Sequence, residues 1–229
     1  MGALIAVAVC AVTAGARGFT AIGKWARDAG AGAVKQLGLV RGSVDESTLR
    51  RLFARLDADR LDALVGTWAA TRAALVAGRQ VIAVDGKTVR GACGGDASAP
   101  HLVAASAHGS GAVFGQVAVG EKSNEIPAAR DLLEALELDG AVVRMDALHT
   151  QHATAALVTE ADADYVLAVK ANQKPSYVRL KAVPWAQLPA VARTDRRHGR
   201  RTTRTVKAID VPAWTTSPGP RKSPSCGAP

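Results

Sequence analysis

Aromatic residues and cysteines are scarce in this sequence of 229 residues. Aromatic side chains make up 4% of the chain, whereas hydrophobic residues make up 48%, so a packed core must be built from Ala, Val and Leu. The three cysteines, Cys10, Cys93 and Cys226, lie far apart, and no C-x-x-C pair occurs. This spacing argues against a zinc ribbon and against a disulfide framework, and it fits a reducing compartment.

Acidic residues are outnumbered by basic ones. The chain has 29 Lys and Arg against 20 Asp and Glu, which gives a formal net charge of +9. Such a balance favours a polyanionic partner such as nucleic acid. The basic segment 193–207, "RTDRRHGRRTTRTVK", is either a solvated charged surface or a contact with a DNA backbone, and its excess of positive charge favours DNA contact, with Arg197, Arg200 and Arg201 as candidates.

A long hydrophobic run is also missing. The N-terminal stretch 3–16, "ALIAVAVCAVTAGA", is apolar and ends in small residues, as a signal peptide would, but no Lys or Arg precedes it. It is shorter than the roughly 20 residues that span a bilayer. We therefore expect a buried helix of a soluble domain and no membrane association.

The first 78 residues predict a small helical domain. Apolar residues recur at helical spacing through segment 47–78, which predicts a helix there. Ser43 and Glu46 form an S-x-x-E capping signature just ahead of it. Charged residues fill the opposite face, which is typical of a solvated surface.

From Gln80 onward the pattern changes to strands and helices in the order β-β-β-α-β-α-β. Three strands come first and are followed by alternating helices and strands, which predicts an antiparallel meander within a mixed α/β sheet covered by helices. This is also the order of the ribonuclease-H-like fold. The predicted strands are 81–91, 101–108, 112–121, 141–147 and 164–172, and the predicted helices are 126–138 and 151–163.

The Gly-Lys-Thr at 86–88 does not indicate a phosphate-binding loop. That loop requires a glycine five positions ahead of Gly86, because flexible backbone must wrap the phosphates. Val81 occupies this position, and the intervening residues favour an extended strand.

Asp85 and Asp146 lie at or near the ends of the first and fourth predicted strands. These two strands are neighbours in the predicted sheet, so the carboxylates can face each other. Two carboxylates repel each other when they lie so near, and a divalent cation between them removes the repulsion. Hard oxygen ligands suit Mg²⁺ or Mn²⁺, which support in-line attack at phosphorus. The alternative is that each aspartate merely ends its strand and caps the next turn.

The chain resembles the ISAs family of DDE transposases from bacterial insertion sequences. The matching stretches include "IAVDGKTVRGA", "GQVAVGEKSNEIPAARDLLEALELDGAVVRMDALHTQ" and "DYVLAVKANQ", and together with others they cover most of residues 11–212. The resemblance implies a helical domain, 1–78, ahead of a ribonuclease-H-like catalytic core, 79–212. It implies that Asp85 and Asp146 are two acids of a catalytic triad that binds Mg²⁺ or Mn²⁺.

The resemblance further implies DNA transposition by metal-dependent phosphoryl transfer. The expected partner is double-stranded DNA, at the element ends and the target, with a homo-oligomer as a possible state in the DNA complex. The expected location is the bacterial cytoplasm, in association with the nucleoid.

The sequence departs from the family at its third acid. The family carries this Glu in a His-Trp-x-Ile-Glu-Asn motif, which is absent here. We therefore expect a chain truncated at its C-terminus, with a disordered tail at 213–229, and clipped at its N-terminus, and we expect defective chemistry. The acids that follow Asp146 are weak substitutes: Glu160, Asp162, Asp195 and Asp210.

Several polar residues near the predicted strand ends are open to two interpretations. Lys87 and Arg90 contact phosphates or are ordinary surface charges. Lys170, Asn172 and Gln173 face a ligand, as strand ends in open sheets often do, or form a plain turn. The loop 121–124, Glu-Lys-Ser-Asn, faces the site or is a polar turn, and the resemblance favours the site.

His149 and His152 form an H-x-x-H pair. A zinc site would need further His or Cys ligands nearby, and none is evident in the sequence. We expect these histidines to serve a turn and a helix start.

Three functions therefore stay open at this stage. The first is a transposase by descent whose chemistry is defective. The second is a non-enzymatic DNA-binding remnant, and the third is a metal-dependent nuclease with two aspartates and an unrecognised acid.

Overall fold

The computed structural model describes residues 1–40, 44–73, 75–92, 99–120, 124–197 and 199–210. The chain divides into two compact units, Met1–Leu61 and Asp62–Pro229. This division falls earlier than residue 78, where the sequence pattern places the domain boundary. The predicted tail at 213–229 and the predicted cap at Ser43 lie outside the described residues.

The first unit is helical, as its sequence pattern predicts. Its core joins Val7 and Ala11 of the first helix to Ile22 and Ala26 of the second and to Leu49 of the fourth. The N-terminal apolar run thus packs within a helical core, and no helix among the described residues is long and apolar enough to cross a bilayer. The helices are α1 (Gly2–Thr13), α2 (Phe19–Asp28), α3 (Gly30–Gln36) and α4 (Glu46–Phe53).

The helix expected over 47–78 is in fact two helices, α4 and α5 (Ala58–Ala70). Asp57 lies between them, and its Oδ1 accepts the backbone N–H of Arg60 at 2.9 Å. A short acidic side chain that satisfies an orphan donor in the first helical turn favours a new helix start over continuation. The apolar periodicity also includes exposed residues, since Leu64 and Trp68 are 64% and 58% exposed.

A mixed five-stranded sheet forms the centre of the second unit, in the order β3-β2-β1-β4-β5. β1 pairs antiparallel with β2, and β2 pairs antiparallel with β3. β4 runs parallel to β1 and to β5. The predicted meander and the predicted neighbouring of the first and fourth strands are confirmed, and the fold is ribonuclease-H-like. The strands are β1 (Val81–Thr88), β2 (His101–Ala107), β3 (Val113–Ala118), β4 (Val142–Met145) and β5 (Asp164–Leu167).

Two helices contribute to the main core of this unit, α6 (Glu125–Glu134) and α7 (His152–Glu160). Leu132 and Leu133 of α6 and Val158 of α7 pack in one cluster with alternate residues of the strands, such as Val84 and Val143. This alternation leaves the intervening strand residues on the other face of the sheet.

Helix α5 reaches the edge strand β3 very closely. A Cβ on Gly66 would lie 1.8 Å from the backbone oxygen of Phe114. Asp62 Oδ2 accepts the N–H of Gln116 at 2.9 Å. Residues of α5 from Asp62 onward therefore belong to the sheet rather than to the helical unit that precedes it.

The segment after β5 contains regular structure that the sequence pattern did not predict. The helix α8 (Lys174–Lys181) leads to an antiparallel hairpin, β6 (Val191–Arg197) and β7 (Arg200–Val206). These strands lack an apolar alternation, which is the usual sequence signal for a strand. Polar cross-strand contacts join them instead, including a 2.9 Å hydrogen bond between the hydroxyls of Thr194 and Thr203.

Candidate active site

Asp85 and Asp146 lie at the same level on two parallel neighbouring strands. Val84 of β1 pairs with Met145 of β4, and each aspartate is the next residue of its chain. Both side chains line the same cavity of about 560 Å³ at the carboxyl edge of β4. The structure thus brings the two aspartates to one cavity.

Asp146 also caps the turn that follows β4. Its Oδ1 accepts the N–H of Leu148 at 2.9 Å and begins a 3₁₀ turn, Ala147–His149. The capping role that the sequence left open for this residue is thus present. One N–H occupies one carboxylate oxygen, and a carboxylate has lone pairs enough to bind a cation as well.

Basic side chains line the same cavity. Lys87, Arg144 and Lys170 contribute to its walls, and Lys87 Nζ lies 3.7 Å from Asp85 Oδ2. Lys87 and Asp85 are 80% and 66% exposed, so solvent screens this pair. The three basic side chains can attract a phosphate group to the cavity, whereas the two carboxylates would repel it unless a cation lies between.

The KANQ stretch after β5 holds the acidic turn in place. Asn172 Nδ2 donates to the carbonyl of Ala147 at 2.8 Å, and Gln173 Nε2 donates to the carbonyl of Thr150 at 2.7 Å. Thr150 Oγ1 donates to the carbonyl of Ala168 at 2.6 Å. Lys170 lines the cavity, whereas the side-chain amides of Asn172 and Gln173 fix the backbone of the turn that Asp146 begins.

A carboxylate that the sequence interpretation did not single out lies behind β1. Glu125, the first residue of α6, lies between two histidine rings, with its Oε1 2.7 Å from His101 Nε2 and its Oε2 3.5 Å from His149 Nε2. A Cβ on Gly86 would lie 2.4 Å from this carboxylate. His101 Nδ1 lies 2.9 Å from the Thr88 hydroxyl.

Sequence signals for these contacts were weak but present. Glu125 is the last acid of the matched stretch "EKSNEI". The sequence pattern predicted a site-facing position only for the loop 121–124 of this stretch. Arg144 shares strand parity with Asp146, two residues on, which places both on one face. The part of the loop at 121–123 lies outside the described residues, and Asn124 caps α6 by accepting the N–H of Ile126.

The acids considered as a third ligand lie away from the cavity lining. Glu160 ends α7, and Asp195 lies in the hairpin, where it pairs with Arg193 and Arg204 at 3.4 and 2.9 Å. Asp162 and Asp210 do not line the cavity either. Within the described ranges, no group of three or more His, Cys, Asp or Glu side chains is arranged to hold a metal ion.

The histidines of the H-x-x-H pair occupy the predicted elements. His149 ends the 3₁₀ turn after β4 and is 2% exposed, and His152 is the first residue of α7.

The basic residues predicted to contact DNA are not all in one place. Lys87 and Lys170 line the cavity, whereas Arg90 is exposed in a 3₁₀ turn after β1 and does not line it. In the hairpin, Arg197 pairs with Arg200 and Arg196 with Arg201. Paired positions share a face and successive positions alternate, so positions 197 and 200 lie on one face and position 201 on the other.

Comparisons with known proteins identify the family of this chain. The family model described as "Transposase DDE domain" matches residues 77–218, and the model "DDE_Tnp_1-associated" matches residues 1–69. A protein of Xanthobacter autotrophicus named "Uncharacterized protein in dhlA 3'region" is 34% identical over 224 residues, covering 93% of this chain and 74% of its own length.

Two relatives carry transposase names. "Putative transposase YncI" of Escherichia coli strain K12 is 33% identical over 175 residues, covering 76% of this chain and 70% of that protein. "H repeat-associated putative transposase YbfD" of the same strain is 33% identical over 144 residues, covering 58% and 56%. A solved piggyBac transposase synaptic complex with hairpin DNA aligns with a TM-score of 0.35 at 15% identity, over 51% of this chain and 28% of that one. The chain belongs to the DDE transposase family.

Proposed function

We propose that this chain acts in DNA transposition, with Asp85 and Asp146 as the acids that hold a divalent cation, Mg²⁺ or Mn²⁺. The observation that carries the proposal is the placement of both carboxylates beside paired strand positions in one cavity. Membership of the DDE transposase family supports the same assignment.

The donor set fits such a cation. Carboxylate oxygens are the hard ligands that Mg²⁺ and Mn²⁺ prefer, and water completes their coordination where protein ligands are few. A cation bound there would activate the attacking hydroxyl and stabilise the leaving oxygen in phosphoryl transfer. Lys87, Arg144 and Lys170 bind and orient the phosphate through their positive charges, and Asn172 keeps the Asp146 turn in register.

We propose that DNA contacts extend beyond the cavity to the hairpin. Asp195 already neutralises part of the charge of Arg193 and Arg204. Arg196 and Arg201 face each other across the strands and are exposed, and like charges directly opposite each other are unfavourable unless an anion lies between them. Together with Arg197 and Arg200, and with Arg90 near the sheet, they supply the phosphate contacts.

We propose low chemical activity for this chain alone. Among the described residues, Asp85 and Asp146 are the acids that line the cavity, whereas the family resemblance implies three. Loss of an outer-shell partner typically costs about 10–100-fold in metal affinity or activity, and loss of a direct ligand costs more. Strand cleavage and joining should therefore be barely detectable while DNA binding persists.

A cleavage assay on supercoiled DNA with Mn²⁺, run beside a DNA-binding assay, tests this proposal. We expect binding with little cleavage, and no residual cleavage in Asp85→Asn. Robust cleavage that requires both aspartates would favour a two-aspartate nuclease. If the chain binds DNA but neither metal nor substitution of Asp85 or Asp146 changes any measured property, the chain is a DNA-binding remnant.

A further inference from the structure

The carboxylate of Glu125 touches three parts of the chain that frame the two aspartates. It contacts His101 of β2, lies against the backbone of Gly86 in β1, and lies within 3.5 Å of His149 in the turn after β4. Gly86 directly follows Asp85, and His149 ends the turn that Asp146 caps. One side chain from α6 therefore connects the backbone segments that carry both aspartates.

Glu125 lies on the opposite face of β1 from Asp85. Successive residues of a strand point to opposite faces, and the carboxylate occupies the place where a side chain at position 86 would project. Asp85 instead faces the cavity. Glu125 is thus positioned to act through the backbone of β1 rather than on a cation held by the aspartates.

Burial makes this arrangement specific. His149 is 2% exposed, and its Nδ1 has no hydrogen-bond partner among the described residues. A buried polar ring with one nitrogen unpaired depends on the partner of its other nitrogen, because unmet hydrogen-bonding groups are costly inside a protein. Glu125 Oε2 lies 3.5 Å from that other nitrogen, and Glu125 is itself 24% exposed.

Gly86 leaves room for the same contact. No positive φ is needed at this position, so the backbone would accept alanine. The obstacle is the Glu125 carboxylate, which would lie 2.4 Å from the methyl group of an alanine and which two histidine rings hold on its other side. The glycine of "DGKT" thus serves the contact with Glu125 rather than a phosphate.

We infer that Glu125 is a positioning residue, which sets the separation of Asp85 and Asp146 by bridging Gly86 and His101 to His149. This inference rests on the proposed function, since it concerns the geometry of that cation site. Cation binding then requires Glu125 in addition to the two aspartates.

The test measures Mn²⁺ affinity and thermal unfolding of the full chain for Glu125→Gln, Glu125→Ala and a control, Glu134→Ala. Glu134 ends the same helix and is exposed. Free Mn²⁺ is followed by electron paramagnetic resonance, with Asp85→Asn as the reference for loss of the site. We expect Glu125→Ala to weaken Mn²⁺ binding about 10–100-fold, Glu125→Gln to weaken it less, and Glu134→Ala to leave it unchanged.

A double-mutant cycle tests the contact itself. Gly86→Ala should lower both the unfolding temperature and the Mn²⁺ affinity in the native background, and should lower them less when Glu125 is already alanine, because the clash is gone. Additive effects would overturn the contact. Unchanged Mn²⁺ affinity in both Glu125 variants, with Asp85→Asn still defective, would overturn the positioning role. Native Mn²⁺ binding that does not depend on Asp85 would instead overturn the proposed function.

Discussion

The acidic turn after β4 and the β6–β7 hairpin differ in how firmly their charged side chains are held. Asp146 is fixed by its own capping bond and by amides from Asn172 and Gln173 that hold the turn. The hairpin arginines instead lie on an exposed two-stranded ribbon joined by polar contacts. In the proposed function, the first region must hold a cation at fixed distances, whereas the second must follow a long polyanion.

The largest effect should come from a substitution that removes the negative charge of Asp146 but keeps the oxygen that caps the turn. Asp146→Asn keeps a side-chain oxygen for the Leu148 N–H, because Asn caps as well as Asp, but loses a ligand charge. We expect the unfolding temperature to hold while Mn²⁺ affinity falls by more than about 100-fold, beyond the outer-shell range. Calorimetry and Mn²⁺ titration measure the two quantities.

Asp146→Ala is the matched variant and should lose both properties. The lost cap should cost about 1 kcal/mol in the free energy of unfolding. Equal Mn²⁺ affinity in native chain and Asp146→Asn would mean that the turn serves structure alone.

The hairpin should respond through salt dependence. Replacing Arg197, Arg200 and Arg201 with Ala should flatten the slope of log K against log salt by roughly three units if each touches a phosphate. The control pair, Arg193→Ala with Arg204→Ala, should change the slope less, because Asp195 already neutralises part of the charge of these two residues. Fluorescence anisotropy with duplex DNA at several salt concentrations gives the slopes. An identical slope in the native chain and the triple variant would mean that the hairpin is only a solvated surface.

The amide contacts that hold the acidic turn predict a smaller effect. Asn172→Ala removes a hydrogen bond to the buried Ala147 carbonyl and should cost about 1 kcal/mol in the free energy of unfolding. Mn²⁺ affinity should fall with it, since the turn carries Asp146. Lys174→Ala, at an exposed neighbouring position, is the control. If both variants keep native stability and Mn²⁺ affinity, these contacts are not needed.

The sheet order and the meeting of the two aspartates were predictable because both follow from strand periodicity and chain order. The Glu125 cluster was not, because it joins residues 24 positions apart, His101 and Glu125, whose contact depends on how α6 docks. The hairpin was missed because Arg and Thr fill positions where alternation would normally show apolar residues. The break at Asp57 was a local capping signal overlooked in favour of a longer apolar period.

The smallest expected effect is a pH dependence in the helical unit. The Thr20 hydroxyl, and then Arg50, hydrogen-bond the carboxylate of Glu46 and lower its pKa below the ordinary 4.5. A lowered pKa contributes stability above pH 4.5 that is lost as the pH falls through the folded-state pKa. Glu46→Gln should remove this part of the acid dependence, and Glu134→Ala should retain it, as followed by helical circular dichroism against pH.

The close approach of α5 to β3 limits where the chain can be truncated ahead of the sheet. β3 is an edge strand, and Asp62 and Gly66 cover it. A fragment that begins at residue 79, where the sequence pattern places the catalytic domain, would lose this cover and present open backbone groups to other molecules. Exposed edges of this kind template intermolecular sheets, so that fragment should aggregate, whereas one that begins at residue 58 should stay monodisperse.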